Sequence, residues 1–167
     1  MPRVERPRMG DYGVPDEVDG ALAWSWAQER LVRNKNYWVV TVSAGGRPAA
    51  MPVWGVWLPD DTFWFSCSPT ARKVRNLAAN PRCAVMIDDT VECVSVEGVA
   101  RRVEPDDDAV ELAAASWVAK YWDDPSQHEE SAAFFRRNAI FQVTPTTAYG
   151  IIEREDEFGP SATRWAF

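Results

Sequence analysis

Between Asp19 and Asn34, Leu22, Trp26, Ala27 and Leu31 recur at three- to four-residue spacing, with Gln28, Glu29 and Arg33 between them. That period puts the apolar residues on one stripe of an amphipathic helix. The period then shortens. Tyr37–Val42 is dense in β-branched and aromatic residues, Gly45-Gly46 signals a tight turn, and Pro48–Leu58 resumes the extended pattern, so a hairpin is predicted. Pro59-Asp60-Asp61 makes the next turn and Thr62–Cys67 a third strand. Cys83–Ile87 and Cys93–Val103 follow as strands around a turn at Asp88-Asp89-Thr90, and Ile140–Val143 with Ala148–Ile152 supplies the last.

Three further helices interrupt the strands. Ser68-Pro69-Thr70 offers hydroxyl caps to Ala71–Ala79, which Asn80-Pro81 stops. Pro105 and Asp106–Asp108 mark a helix start, where the macrodipole favours negative charge, and Val110, Ala113, Ala114, Trp117 and Tyr121 form its stripe. Asp123–Ser126 breaks that helix, and a polar one runs to Arg137. Residues 1–18, with three prolines and two glycines among charges, read as an arm crossing another surface. Residues 19–167 form a single domain whose apolar tail, Ser161–Phe167, docks on something. The chain therefore reads as mainly β, of the α+β class: six or so antiparallel strands closed into a small barrel with helices at its ends. Strands and helices do not alternate, and no G-x-G-x-x-G follows a strand, so a dinucleotide-binding doubly wound sheet is excluded.

Composition narrows the function. Eighteen Lys and Arg against 25 Asp and Glu give a net charge of −7, which lacks the broad cationic field that nucleic-acid binding requires. No apolar stretch reaches the ~20 residues of a membrane-spanning helix. The charged, proline-containing start lacks the apolar core of a secretory signal, so a cytoplasmic protein is expected. Cys67, Cys83 and Cys93 are odd in number, lack C-x-x-C spacing and sit in strand-like runs, as reduced buried thiols do. His128 is the single histidine and lies in a polar stretch. No Ser–His or Cys–His machine and no His-rich metal site can be built from it. The acid clusters at Asp60-Asp61, Asp88-Asp89 and Asp106–Asp108 read as turn formers and helix-start charge.

The informative segment is Phe63–Lys73. A strand delivers Ser66 and Ser68 to its end, and Arg72 and Lys73 stand in the first turn of the following helix. Cations there oppose the positive end of the helix dipole, each at a cost of up to ~1 kcal/mol. Backbone amides, hydroxyls, an Arg fork and a Lys charge at one strand–helix junction make a site for a phosphate ester. Upstream, Met51-Pro52-Val53-Trp54-Gly55-Val56-Trp57 contains a proline that marks a strand edge or bulge and a glycine that permits close approach by a flat ligand. Of the nine tryptophans, Trp26, Trp38, Trp64 and Trp117 fall on predicted core faces. Trp54, Trp57 and Trp165 stand out as ligand candidates.

Over Asn36–Val103, and more loosely to the C-terminus, the chain resembles the flavin and deazaflavin oxidoreductases of the split β-barrel superfamily, related to pyridoxamine 5′-phosphate oxidase. The matching pieces are Tyr37–Val42 with Gly46-Arg47-Pro48, Met51–Trp57, Phe65–Ser68 with Ala71–Leu77, Asn80-Pro81-Arg82, Val96–Ala100 and Thr163-Arg164-Trp165. The resemblance implies a six-stranded split barrel and a homodimer with two cofactor sites at its interface. It also implies that Arg72 and Lys73, with Ser66 and Ser68 beside them, hold the cofactor phosphate. Met51, Pro52, Val53 and Trp54 would run along the isoalloxazine-like ring, and Trp117, Tyr121, Arg164 and Trp165 are candidate contacts from the partner chain.

Val-Trp-Gly-Val-Trp and the terminal Thr-Arg-Trp are similar to the actinobacterial branch that uses coenzyme F420, the 8-hydroxy-5-deazaflavin. FMN users share the fold and much of the phosphate site. Where the vitamin oxidases carry Arg-x-His near the C-terminus, this chain has Arg164-Trp165-Ala166, a departure that counts against the vitamin reaction. The expected function is F420-dependent hydride transfer to a small electron-poor organic substrate. The alternatives are an FMN-dependent oxidase or reductase and a non-catalytic flavin- or haem-binding protein. The only visible proton donor is Tyr121.

Overall fold

A computed structural model describes all 167 residues. Its strands are β1 (Arg3–Glu5), β2 (Asn36–Val42), β3 (Pro48–Trp57), β4 (Phe63–Cys67), β5 (Arg82–Ile87), β6 (Glu92–Val103), β7 (Ala139–Ile152) and β8 (Thr163–Ala166). The helices are α1 (Trp24–Arg33), α2 (Arg72–Ala79), α3 (Asp108–Tyr121), α4 (His128–Arg137) and the single turn α5 (Phe158–Ser161). The strands form one antiparallel sheet in the order β1-β8-β7-β4-β3-β2-β5-β6, and pairing of β6 with β7 closes six of them into a barrel. The fold is thus a six-stranded antiparallel barrel with two extra strands and flanking helices. No helix is long and apolar enough to cross a membrane.

Alternation along the strands sorts side chains to the two faces. Tyr37, Val39, Val85, Val94 and Val96 point into the barrel with Phe63, Phe65 and Phe141, and α1 adds Trp24, Ala27 and Leu31 to that core. A second core lies outside the barrel, where Val110, Ala113, Ala114 and Trp117 of α3 and Phe135 of α4 pack on Val56, Trp64 and Ile140. Covered on both faces, β4 buries three consecutive aromatics, Phe63, Trp64 and Phe65, as a doubly buried strand must.

Several elements differ from the sequence expectation. The first helix begins at Trp24, because Gly20 adopts φ 74° and closes a turn at Asp19-Gly20 instead of starting a helix. Ser68 and Thr70 do not cap α2. Their hydroxyls lie 3.0 Å from one another, and Ala71 occupies the cap position with no side-chain hydrogen bond. The last strand of the barrel is one piece of 14 residues through Pro145. A bulge absorbs the proline: Gly98 pairs with Pro145 and Glu97 with Thr147, which leaves Thr146 as the extra residue. Trp38, expected in the core, is 41% exposed on the outer face of β2. Residues Arg3–Glu5 pair with β8, whose other edge pairs with β7, so both chain ends join the sheet. The aspartates serve local backbone: Asp60 accepts from Thr62, Asp89 from Val91 and Glu92, and Asp107 caps α3 through Ala109.

Gly98 sits where β6 and β7 approach closely. A Cβ there would lie 2.6 Å from the Thr144 carbonyl oxygen, and neither backbone can withdraw without opening the bulge. Gly98→Ala should therefore lower unfolding free energy by roughly 2 kcal/mol, measured by urea titration. A change within experimental error would show that the bulge is soft.

Candidate functional site

The ten residues of β3 pair with β2 along Pro48–Trp54, but with β4 only at Gly55, Val56 and Trp57. Beyond that point β4 turns away and the chain enters α2, so the edge of β3 from Pro48 to Trp54 has no strand partner on that side. α2 lies across the gap. Asn76 is buried and donates to the Thr41 hydroxyl at 2.9 Å, which fixes the helix against β2.

A cavity of about 450 Å³ opens between them, lined by Val39, Thr41, Ala49, Ala50 and Met51 on the strands and by Ala71, Arg72 and Lys73 on the helix. Val39 with Met51 and Thr41 with Ala49 are register partners, which is why both pairs reach the same space. Neither Arg72 nor Lys73 has an acidic partner, and the first turn of α2 contains no acid and no side-chain cap. The first amides of the helix and two cations are thus left to one anion. Burial pushes the adjacent Cys67 thiol up, while Lys73 and Arg102 pull it the other way. Arg102 is a cation at this corner that sequence reading missed, since it lies on β6, distant in sequence.

On the other side of β3 the surroundings are aromatic. Trp54 stacks on Tyr121 with ring centres 5.0 Å apart and planes 10° from parallel, and Trp117 and Trp122 surround it. The Tyr121 hydroxyl accepts from the Gly55 amide at 3.0 Å and faces the carbonyls of Gly55 and Lys35. It substitutes for a strand partner where β2 has ended. Burial pushes this phenol up to about 12, and its hydrogen bonds to Gly55 and Lys35 pin α3 to β3. One residue earlier, the Lys120 ammonium lies 2.6 Å from the Tyr37 hydroxyl, which itself donates to the Leu31 carbonyl.

Residues 26–151 match the family model described as pyridoxamine 5′-phosphate oxidase. The chain belongs to that family. No curated protein matches this family member by sequence. Its fold is similar to that of a conserved hypothetical protein from Mycobacterium tuberculosis, at 17% identity and TM-score 0.67, over 80% of this chain and 87% of the other. It is also similar to an F420 reductase, at 21% identity and TM-score 0.56 over 72% and 94% of the two chains. A heme storage protein from Vibrio cholerae matches at 22% identity and TM-score 0.57 over 73% and 86%. At such identities the likeness is one of fold.

Of the residues singled out in the sequence, the structure brings Met51, Arg72 and Lys73 of this family member into one cavity, with Ser66 and Ser68 in the segment leading to α2. The four residues Met51–Trp54 do not share a face. Val53 joins the core, Trp54 joins the α3 aromatics, and Pro52 lies opposite the outward-facing Trp38. Trp165 is fully buried and fills the space above Gly150, and Trp57 is 5% exposed, so both rings are packed inside the chain. Arg164 pairs with Glu5 across β1 and β8. Both C-terminal candidates therefore serve the sheet in this chain. Ala49, Ala50 and Thr41 were not anticipated. The signal for Thr41 and Ala49 was their register beside Val39 and Met51, which only the hairpin pairing reveals.

Burial, with Lys35 nearby, holds Lys120 down at about 8 against 10.5 for a free lysine. Between those values the unfolded chain binds the extra proton, so stability rises with pH across that window and the burial penalty is fully felt below about 8. Lys120→Met should raise the melting temperature at pH 7, with the gain shrinking as pH climbs from about 8 toward 10. Parallel melts at pH 7.0 and 9.5 check it, and a pH-independent difference would contradict it.

Proposed function

We propose that this chain is a deazaflavin-dependent oxidoreductase, using coenzyme F420 for hydride transfer to a small electron-poor organic substrate. The observation that carries the reading is the cavity in which Arg72 and Lys73, without acidic partners at an uncapped helix start, face Met51 and the unpaired edge of β3. The donor set suits a phosphate. The Arg72 fork, the Lys73 ammonium, the first amides of α2 and the hydroxyls of Ser66 and Ser68 would hold it. Met51, Ala49 and Ala50 would border the ring, and the free amides and carbonyls of that strand edge offer hydrogen bonds to a heterocycle. When bound, the coenzyme supplies hydride exchange at a ring carbon. The protein's part is to place the phosphate, exclude water along Val39 and Met51, and present one ring face. FMN carries the same phosphate chemistry and is the second reading. Both rest on family membership and on the cavity; the F420 reductase among the fold relatives inclines the choice.

The reading includes a homodimer in which a second copy completes each site. The outer faces of β2, β3 and β5 support it: Trp38 stands between Pro52 and Met86, and Val40 between Ala50 and Ala84. Trp38 is 41% exposed on this face, a loss that burial between two copies would recover. A haem-carrying role finds less support. The Nε2 atom of His128 lies 3.0 Å from the Trp122 carbonyl oxygen, and the ring lines a cleft between α3 and α4 distinct from the cation-lined cavity.

Titration of the purified protein with F420 and with FMN, followed by absorbance and fluorescence, tests the coenzyme. F420 should bind more tightly. Arg72→Ala with Lys73→Ala should weaken binding about 100-fold, as expected for two charge-assisted contacts. The melting temperature should hold, because helix-start cations add no stability. Unchanged affinity would refute the phosphate site. Sedimentation on dilution should show a dimer, and a monomer that binds coenzyme fully would refute the shared site.

A further inference from the structure

On β6, Val94, Val96 and Ala100 point into the barrel, and the two-residue period of a strand puts Arg102 on the same face. Strand register agrees. Phe65 pairs with Phe141 across β4 and β7, and Phe141 with Arg102 across β7 and β6, so two core rings and Arg102 form one row on the inner face. Both phenylalanines are buried while Arg102 is exposed, which places the arginine at the open end of the barrel. Cys67 pairs with Ala139 at that same end and packs against the core, and the chain runs from it directly into Arg72 and Lys73. Burial lifts the Cys67 thiol, and Lys73 and Arg102 both act to lower it. The two cations therefore share one neighbour.

Other cations at this end are engaged. Arg101 pairs with Asp107 at 3.7 Å and donates to Gln142 at 2.9 Å, and Arg75 donates to the Thr70 carbonyl at 3.0 Å. Arg72, Lys73 and Arg102 form no ion pair. An exposed arginine alone is ordinarily just solvated. Arg102 differs because an acidic chain sets it beside Lys73, where like charges repel and an anion between them relieves the repulsion. We infer that Lys73 and Arg102 form a second anion subsite at the barrel mouth, so that the ligand whose phosphate lies at Arg72 and Lys73 carries a further anionic group, a carboxylate or a second phosphoryl, bound by Arg102. The planar guanidinium fork suits either group. This subsite rests on the phosphate site proposed above and adds the ligand class to it: a phosphate ester with a second acid. A ligand ending in a single phosphate would leave Arg102 to solvent.

The test titrates the full chain, without coenzyme, calorimetrically with glycerol 3-phosphate, with 3-phosphoglycerate, in which a carboxylate replaces the terminal CH2OH, and with pyrophosphate. The carboxylate probe should bind about tenfold more tightly than glycerol 3-phosphate, as one charge-assisted contact provides. Arg102→Gln should abolish that preference while the melting temperature holds, because the side chain is exposed and unpaired; Arg102→Lys should keep part of it. Pyrophosphate distinguishes the two groups: it shares the preference where a second phosphoryl serves, and matches glycerol 3-phosphate where the subsite takes a carboxylate. Equal affinity for glycerol 3-phosphate and 3-phosphoglycerate, or a preference that Arg102→Gln leaves intact, would overturn the subsite while the phosphate site stands. Arg72→Ala with Lys73→Ala separates the two failures: undiminished binding of glycerol 3-phosphate by that variant removes the phosphate site, and the second subsite with it.

Discussion

The unequal lengths of β3 and β4 govern this molecule. Ten residues of β3 face five of β4, and only three of them pair. A strand edge left unpaired inside a closed barrel must be covered or occupied. α2 fills the gap only in part, because its start is uncapped and carries Arg72 and Lys73, and the space between helix and edge becomes the cavity. The site is thus a consequence of how the barrel fails to close between β3 and β4.

The same strand separates two chemistries. Met51 looks toward the cations and Trp54 toward α3, three residues apart and on opposite faces, as the two-residue period of a strand requires. On the cationic side the chain's negative excess is locally reversed by Arg72, Lys73 and Arg102. On the aromatic side the Tyr121 hydroxyl, bonded to backbone at Gly55 and beside Lys35, ties α3 to β3. Gly55 itself admits no side chain, because a Cβ would lie 2.3 Å from the Phe63 ring. The geometry of both sides therefore depends on the same short stretch of β3.

Elsewhere, polar side chains secure the barrel's outer elements. A single oxygen of Asp61 accepts from Gln28 at 2.8 Å and from the indole of Trp24 at 3.1 Å, tying α1 to the turn after β3. Arg30, Glu92 and Arg154 form a linked set of ion pairs over the far end of β6. One barrel can serve several chemistries, so function is set by the residues placed on the frame.

Much of the architecture was legible in the chain. The periods of Tyr37–Val42, Phe63–Cys67 and Cys93–Val103 announced the strands, and the misplaced charges of Arg72 and Lys73 drew notice to the residues that line the cavity beside β3, because strand alternation and helix dipoles act over a few residues and leave local signatures. Pairing does not. Whether Trp38 faces in or out, whether Pro145 ends a strand or sits in a bulge, and whether Trp165 lies at the surface or in the space above Gly150 depend on which strands become neighbours and in what register. Tertiary structure alone decided those points, and with them the gap beside β3. The reason is that each is set by the packing of residues distant along the chain, and no local preference encodes it.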